Sequence, residues 1–196
     1  KTFVGQDGPQ TNSPNVSNTG FYIRKFISEA SGYTLRNYAE NWWPWFRLGE
    51  IYLNAAEAAF ELNDEPTALP YINRLRQRAG FPANSLTSLT IEKIQNERRV
   101  ELAFEDHRYF DMKRWRIADI TWNGNIDNDK AIVYGLYPYR IAVAKPGTQD
   151  QDKYIFVKTR SERFKVARTF QQSNYYSFIA DAVINNNPTI VKNPFQ

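Results

Sequence analysis

The amino-acid sequence predicts a mainly α-helical protein, built from tetratricopeptide-like helix pairs and followed by a loop-rich region with short strands. Apolar residues recur at helical spacing through residues 43–117. Within that stretch, Trp45–Tyr52 carries the W-x2-L-G-x2-Y pattern that opens a tetratricopeptide helix. After residue 118 the helical period fades, and glycines and prolines interrupt the chain. We expect one domain over 1–196, divided into a loop-rich lead-in (1–42), a helical core (43–117) and an aromatic, loop-rich region with an extended tail (118–196).

The first expected elements are a short strand and a long helix. The strand is expected at Phe21–Ile27, where apolar and aromatic residues dominate. The helix is expected over Pro44–Leu62, because proline is well tolerated in a first turn. Its polar residues recur at spacings of three and four and form one narrow stripe: Arg47, Glu50, Asn54, Glu57 and Glu61. Since the rest of its surface is apolar, the helix must pack against more than one neighbour.

Three further helices follow, and the first two have recognisable starts. One is expected to begin within Asn63–Pro66 and to run to about Ala79, with Asp64 or Glu65 as its N-terminal acid, Pro66 in its first turn and Gly80 as its C-terminal cap. The next is expected over Thr90–Glu105, with the threonine as N-cap. A turn then leads into a short helix over Arg108–Ile117. Farther along the chain, Tyr154–Lys158 is expected to form a short strand.

The stretch Glu92–Arg116 holds six acids and seven bases and predicts a structural ion-pair network. The expected members are Glu97, Arg98, Glu101, Glu105 and Arg108. The three glutamates share one i,i+4 row, where like charges repel, and the two arginines are close enough in sequence to relieve them. Arg98 also falls on the apolar face, where a charge must be paired. Acids held by arginines have lowered pKa values and are poor general acids, so no catalytic residue is nominated.

The composition excludes several classes of site. The chain of 196 residues has no cysteine, which removes disulfides, thiol nucleophiles and cysteine-ligated metals. The single histidine, His107, removes multi-histidine metal sites and is expected to cap a helix end or to lie on the surface. Nucleotide-binding and hydrolase motifs are missing from the sequence, so neither a metal nor a cofactor is expected. A net charge of +4 is weak over this length, so no nucleic-acid partner is expected.

Four blocks of the sequence, in order, resemble the SusD/RagB family of outer-membrane glycan-binding lipoproteins. The blocks are Phe46–Ala58, Ile72–Gly80, Ile94–Trp115 and the paired Asn-Pro steps at Asn187-Pro188 and Asn193-Pro194. Asp106 stands where the family commonly has glycine, but aspartate tolerates the left-handed backbone, so the turn can survive. The final Phe195-Gln196 replaces the usual Gly-Tyr ending.

The resemblance implies a SusD-like α-solenoid scaffold and a non-catalytic role. It implies binding of an oligosaccharide or polysaccharide at the outward face of the outer membrane of a Gram-negative bacterium. It also implies delivery of that glycan to a TonB-dependent, SusC-like transporter. The chain is similar to the C-terminal portion of such a protein, so a lipid-anchored cysteine and further helix pairs are expected upstream.

Aromatic residues and asparagines are abundant, with 5 tryptophans, 12 tyrosines, 13 phenylalanines and 18 asparagines. The aromatics of the helical region are expected in the core and include Trp45, Phe46, Tyr52 and Phe104. Those of the loop-rich region are candidates for stacking on sugar faces, with asparagines to hydrogen-bond hydroxyls. The candidate residues are Trp122, Asn123, Asn125, Tyr134, Tyr137 and Tyr139. The alternative for each aromatic is core packing, and for asparagine a turn.

Two other functions stay open from the sequence. The chain can be a protein-docking module for the transporter, with glycan specificity elsewhere, because tetratricopeptide pairs often present docking surfaces. It can also be an α-helical glycosidase, which requires two unpaired carboxylates about 5–9.5 Å apart. Pairing of Glu97, Glu101 and Glu105 with arginines would exclude that second function for these acids.

Overall fold

The computed structural model describes residues 17, 20–28, 42–123, 132, 134–142, 146–160 and 167–195. Within these residues the chain forms two compact units, one of Lys25–Asp111 and one of Lys1–Arg24 with Met112–Gln196. The described part is mainly helical, as the sequence predicts. None of its helices has the length and apolar character needed to cross a membrane. The single domain expected over 1–196 stays a prediction.

The Lys25–Asp111 unit is built on a helix pair and a third helix. Its helices are α1 (Leu48–Glu61), α2 (Glu65–Arg78), α3 (Ile91–Glu101) and the start of α4 (His107–Arg114). Helix α1 packs against both α2 and α3, as its broad apolar surface predicts. The core holds Leu53, Ala56, Ala68, Ile72, Leu75, Leu89, Ile94 and Leu102. Two of these core residues, Ala56 and Ala68, have small side chains.

Helices α2 and α3 begin where their capping residues predict. Asp64 accepts a hydrogen bond from the backbone N–H of Thr67 at 3.1 Å, and Thr90 accepts one from Lys93 at 3.3 Å. Gly80 follows α2 with a φ of +98°, a backbone conformation that glycine adopts without strain. These residues satisfy helix ends locally, so neighbouring residues in the sequence predict the starts of α2 and α3 and the end of α2.

The predicted start of α1 and the predicted end of α3 are each wrong by four residues. Helix α1 begins at Leu48 rather than Pro44, because the backbone of Arg47 is extended (φ −146°, ψ 157°). Helix α3 ends at Glu101 rather than Glu105. The turn after α3 contains two left-handed residues, Phe104 and Asp106, with φ of +66° and +62°. An aspartate therefore does occupy the left-handed position there.

The fourth predicted helix is shorter than expected, and a further helix that was not predicted follows it. Helix α4 ends at Arg114, and α5 (Ala118–Thr121) follows after a break. Arg116 in that break has a positive φ of 56°. A left-handed residue cannot continue an α-helix, so the chain turns there.

The Met112–Gln196 region contains an antiparallel two-stranded ribbon. Strand β1 (Tyr134–Arg140) pairs with β2 (Tyr154–Arg160), so that Tyr134 faces Arg160 and Tyr137 faces Val157. The sequence predicted β2 but not β1, because Gly135 and Pro138 are unusual inside strands. Proline is tolerated here because each strand of a two-stranded ribbon has a free edge.

Two further elements of this unit were not predicted. A 3-10 helix occupies Gln172–Tyr175 and α6 occupies Asp181–Asn186, where the sequence predicted a loop-rich region. The strand expected at Phe21–Ile27 is wrong, since Phe21 makes one isolated bridge and the rest is turn and coil.

Most of the aromatic residues expected in the helical core lie on the surface. The exposed fraction is 81% for Trp45, 79% for Phe46 and 59% for Phe104. Tyr52 does pack on the core, with its ring 5.7 Å from that of Tyr71. The pattern failed because Trp45 and Phe46 precede α1 and Phe104 lies in the turn after α3, so helical periodicity does not orient these three rings.

Candidate functional site

The acidic row of α3 meets the chain segment that precedes α1. Arg47 donates from Nε to Oε2 of Glu105 at 2.6 Å and from Nη2 to the backbone oxygen of Glu101 at 2.5 Å. Its Nη1 also donates to the Glu101 carboxylate. One guanidinium therefore binds both acids and the backbone carbonyl of the last residue of α3.

Two more cationic side chains bind Glu101 and Glu105. Lys25 pairs with Glu105 and donates to the backbone oxygen of Ala103 at 2.9 Å. Arg78 donates from Nη2 to both carboxylate oxygens of Glu101 at 2.8 Å. The last carbonyls of a helix have no hydrogen-bond donor within the helix. At the end of α3, side chains supply these donors instead.

We call Lys25, Arg47, Arg78, Glu101 and Glu105 the acid–base cluster. Gly49 leaves room for two of its side chains, because glycine has no Cβ. A Cβ at Gly49 would lie 2.5 Å from Nη1 of Arg47 and 2.8 Å from Oε1 of Glu101. Both separations are too short for carbon beside nitrogen or oxygen. The glycine of the tetratricopeptide-like pattern therefore lets the arginine cross the first turn of α1.

Arg98, one of the two arginines expected to relieve the acidic row, pairs elsewhere, which corrects the local pairing that the sequence suggested. Arg98 donates from Nε to Asp111 and from Nη1 to Asn54, both at 2.7 Å. Arg108 lies near Asp111 and Arg99, and burial, followed by the charge of Arg99, lowers its pKa. Glu97 instead pairs with Arg76 of α2. Tertiary packing brings cations from other segments closer than the neighbours in sequence.

The charges around Arg47, Glu101 and Glu105 favour the ionised form of all three side chains. Burial alone would raise the pKa of Glu101 and Glu105, but hydrogen bonds from Arg47 and nearby cationic charges outweigh it and lower both values. Burial would likewise lower the pKa of Arg47, whereas the two glutamates raise it. A general acid needs a raised pKa, so these two acids do not fit a glycosidase. Glu97 is also held by an arginine.

His107 has a partner that the sequence did not suggest. Its Nε2 lies 3.7 Å from Oε2 of Glu50, and the histidine is half-buried at the start of α4. In the part of the chain that the structure describes, no group of three or more acidic or histidine side chains is placed to hold a metal ion.

The candidate sugar-binding tyrosines lie on opposite faces of the ribbon. Because side chains alternate along a strand, Tyr137 and Tyr139 share one face and Tyr134 lies on the other. The ammonium group of Lys158 sits 4.1 Å from the centre of the Tyr134 ring. Tyr139 is 39% exposed. The strand therefore brings two of the three tyrosines together.

Trp122 belongs to an aromatic cluster that the sequence did not predict. Its ring is 5.8 Å from Phe170, whose ring meets Tyr175 edge-on at 4.9 Å. The Tyr175 hydroxyl donates to Asp119 at 2.6 Å, and this hydrogen bond lowers the pKa of Asp119. Asn123 is exposed beside the cluster, and Asn125 lies outside the described residues. Trp122 is thus half-buried against other rings.

A pocket of about 220 Å³ opens between the 3-10 helix and the chain terminus. Its lining is Ser173, Asn174, Tyr176, Ser177, Phe178, Asn193, Pro194 and Phe195. We call it the tail pocket. Sequence reasoning missed these residues because their ranges are far apart in the chain and lack periodicity. The signal that could have found them is the aromatic density of residues 175–178 together with the Asn-Pro-Phe ending.

Comparisons with known proteins agree on one family. The model of the SusD family matches residues 1–195. SusD-like proteins P2 and P25 of Formosa agariphila are 34% identical over 117 residues and 43% identical over 79 residues. Those alignments cover 53% and 37% of this chain but only 23% and 15% of the two relatives. A solved SusD-like protein from Bacteroides fragilis superposes with a TM-score of 0.63 and 28% identity, covering 94% of this chain and 32% of that one.

Proposed function

We propose, since the chain belongs to the SusD family, that it takes part in binding a glycan without cleaving it. The observation that carries this proposal is the family match over residues 1–195. The chain spans less than a third of its matched relatives, so the activity of the whole protein is inferred from the family.

The chemistry of the described acids supports binding over hydrolysis. Glycoside cleavage requires one carboxyl group that keeps its proton near neutral pH. The cations around Glu101 and Glu105 keep both acids ionised, and Arg76 pairs with Glu97. These three acids therefore stabilise the fold, and the glycan meets aromatic and amide groups.

The glycan-contacting surface is assigned to the Met112–Gln196 region. Tyr137 and Tyr139 present rings from one face of β1, and Trp122 contributes a third ring, with Asn123 and Asn125 as polar partners. Aromatic faces pack on sugar C–H groups, while amides hydrogen-bond the hydroxyls. Tyr134 is the weaker candidate, because Lys158 already covers its ring.

The proposed cellular setting follows from the family. The whole protein acts at the outward face of the outer membrane, held by a lipid anchor, and passes its glycan to a TonB-dependent, SusC-like transporter. No cofactor and no nucleic acid take part.

The test measures binding and cleavage together. The full-length protein is screened by calorimetry against a polysaccharide panel, and each mixture is then analysed for shortened products. We expect saturable binding of at least one glycan with unchanged chain length. Release of reducing ends above a heat-inactivated control would contradict the proposal.

A second candidate function is docking to the transporter, and an exposed apolar surface on α1 favours it. Leu48, Ile51 and Leu62 lie at helical spacing and are 62%, 50% and 80% exposed. A pull-down of the cognate transporter compares wild type with Ile51→Glu, and Val157→Glu on the ribbon serves as control. Loss of capture for Ile51→Glu alone supports docking; equal capture by both variants contradicts it.

A further inference from the structure

We propose that the tail pocket is a subsite for one uncharged pyranose ring of a neutral glycan. This inference rests on the proposed function and adds to it a place and a ligand class. It is carried by the pocket's aromatic walls, its free polar groups, its size and its lack of charge.

Aromatic rings form the walls of the pocket. Tyr176 and Phe195 pack with their ring centres 6.2 Å apart, inclined at 40°. Phe178 and Phe195 nevertheless remain 76% and 68% exposed. The Phe195 ring is held by Tyr176 yet open to solvent, which suits it to stacking because little side-chain freedom is lost on binding, and Phe178 adds a second exposed ring.

The chain around the pocket is held in place by its own polar contacts. Asn193 donates from its side chain to the backbone oxygen of Ser177, which ties the terminus to the segment after the 3-10 helix. Arg116 donates to the Tyr176 hydroxyl at 3.2 Å and lies 5.1 Å from the centre of that ring. The pocket is therefore partly formed before a ligand arrives.

Several lining groups keep free hydrogen-bonding capacity. Asn174 and Asn193 each use one side-chain atom, since Oδ1 of Asn174 accepts from Gln171 and Nδ2 of Asn193 donates to Ser177. Within the part of the chain that the structure describes, the hydroxyls of Ser173 and Ser177 have no partner. Amide donors, amide acceptors and hydroxyls match the mixed donors and acceptors of sugar hydroxyl groups.

The volume of the tail pocket and the lack of charge in its lining limit the class of ligand that it can bind. A volume of about 220 Å³ is below the ~300–1,000 Å³ of pockets that enclose a drug-sized ligand, which limits the occupant to about one ring. All eight lining residues are uncharged. Lys192, next to the lining residue Asn193, is paired with Asp181 at 2.9 Å. Arg116, which contacts Tyr176, is not one of the lining residues. A uronate or sulfate group would thus lose water without gaining a charged partner from the lining, so a neutral sugar is favoured.

The experiment uses the full-length protein and calorimetry. The probes are maltoheptaose, cellohexaose, xylohexaose and mannohexaose as neutral oligosaccharides, and oligogalacturonide as the anionic one. Phe178→Leu and Phe195→Leu keep apolar volume but remove the flat face, so each is expected to weaken neutral-glycan binding roughly tenfold, the equivalent of about one stacking contact. Phe178→Tyr keeps the face and should retain affinity. Phe46→Leu, also an exposed phenylalanine, is the matched control, and thermal unfolding verifies each fold.

The outcomes are distinct. Weaker binding for both leucine variants, with Phe178→Tyr and Phe46→Leu unchanged, supports the subsite. Wild-type affinity in both leucine variants overturns the subsite and leaves the proposed function standing. Wild type that binds oligogalacturonide alone overturns the neutral ligand class. Wild type that binds none of the probes, neutral or anionic, overturns both proposals.

Discussion

Arg98 and Asp111 form a buried ion pair, with Nε of the guanidinium 2.7 Å from Oδ2 of the carboxylate. Their side chains are only 6% and 7% exposed. Asn54 accepts a second hydrogen bond from the same guanidinium. The pair therefore joins α3 to α4 and connects both to α1 inside the helical unit.

Removing the acid from this pair should strongly destabilise the protein. Asp111→Ala leaves Arg98 charged and buried, and we expect the free energy of unfolding to fall by about 3–5 kcal/mol. Urea denaturation of the helical transition measures the change. Asp150→Ala is the control, because the exposed pair of Asp150 with Lys153 is worth at most about 1 kcal/mol. Equal effects of the two variants would show that the buried pair is not structurally important.

Adding a methyl group at Gly49 should disturb the arginine that crosses it. Gly49→Ala puts a carbon atom where Arg47 and Glu101 meet, and we expect a loss of about 1–3 kcal/mol of stability, the size of a charged hydrogen bond. In an Arg47→Ala background, the same substitution should be neutral or stabilising by up to about 1 kcal/mol, because the Glu101 carboxylate, no longer held by Arg47, can move away from the added carbon and alanine favours the helix. A double-mutant cycle measured by thermal unfolding tests this coupling, and additive effects would refute it.

Acid should destabilise the helical unit through Glu101 and Glu105. Both pKa values are lower in the folded chain than in the unfolded chain, so the unfolded state takes up protons first. Their stabilisation is complete above the unfolded pKa of about 4.3 and is lost as pH falls through the lower, folded values. Urea midpoints from neutral pH downward should drop in that range. Glu105→Gln should lower stability at neutral pH and flatten the drop; a drop as steep as in wild type would contradict the assignment.

The two faces of the ribbon should differ in their effect on glycan affinity. Tyr139→Ala removes an exposed ring from the face shared with Tyr137, and we expect roughly three- to tenfold weaker binding. Tyr134→Ala, on the opposite face and covered by Lys158, should leave affinity unchanged. Affinity electrophoresis in gels containing the bound polysaccharide compares them. A larger effect of Tyr134→Ala would assign the sugar to the other face.

Local sequence signals predicted the helices that begin with a side-chain cap. Thr90 and Asp64 each satisfy a backbone N–H three residues ahead, and Gly80 adopts the left-handed backbone at the end of α2. Such contacts act within one turn, so they can be deduced from neighbouring residues. Helix α1 lacks a side-chain cap, and its start was misplaced for that reason.

Candidate site residues were harder to predict, because their neighbours come from distant segments. The sequence grouped Tyr134, Tyr137 and Tyr139 by proximity, whereas the strand separates them by alternation. Phe178 and Phe195 are 17 positions apart and carry no shared motif, yet they line one pocket. Proximity in sequence therefore did not identify which rings share a surface.

By itself, the sequence determined the family, the mainly helical class, the capped helix starts and the need for an ion-pair network, because these depend on residue type and short spacing. Tertiary structure alone decided which cation meets which acid, as when Arg47 rather than Arg98 takes Glu101. It also decided that Trp45 and Phe46 face outward. The physical reason is that charge pairing and burial depend on distances between segments, which are established only when the helices pack.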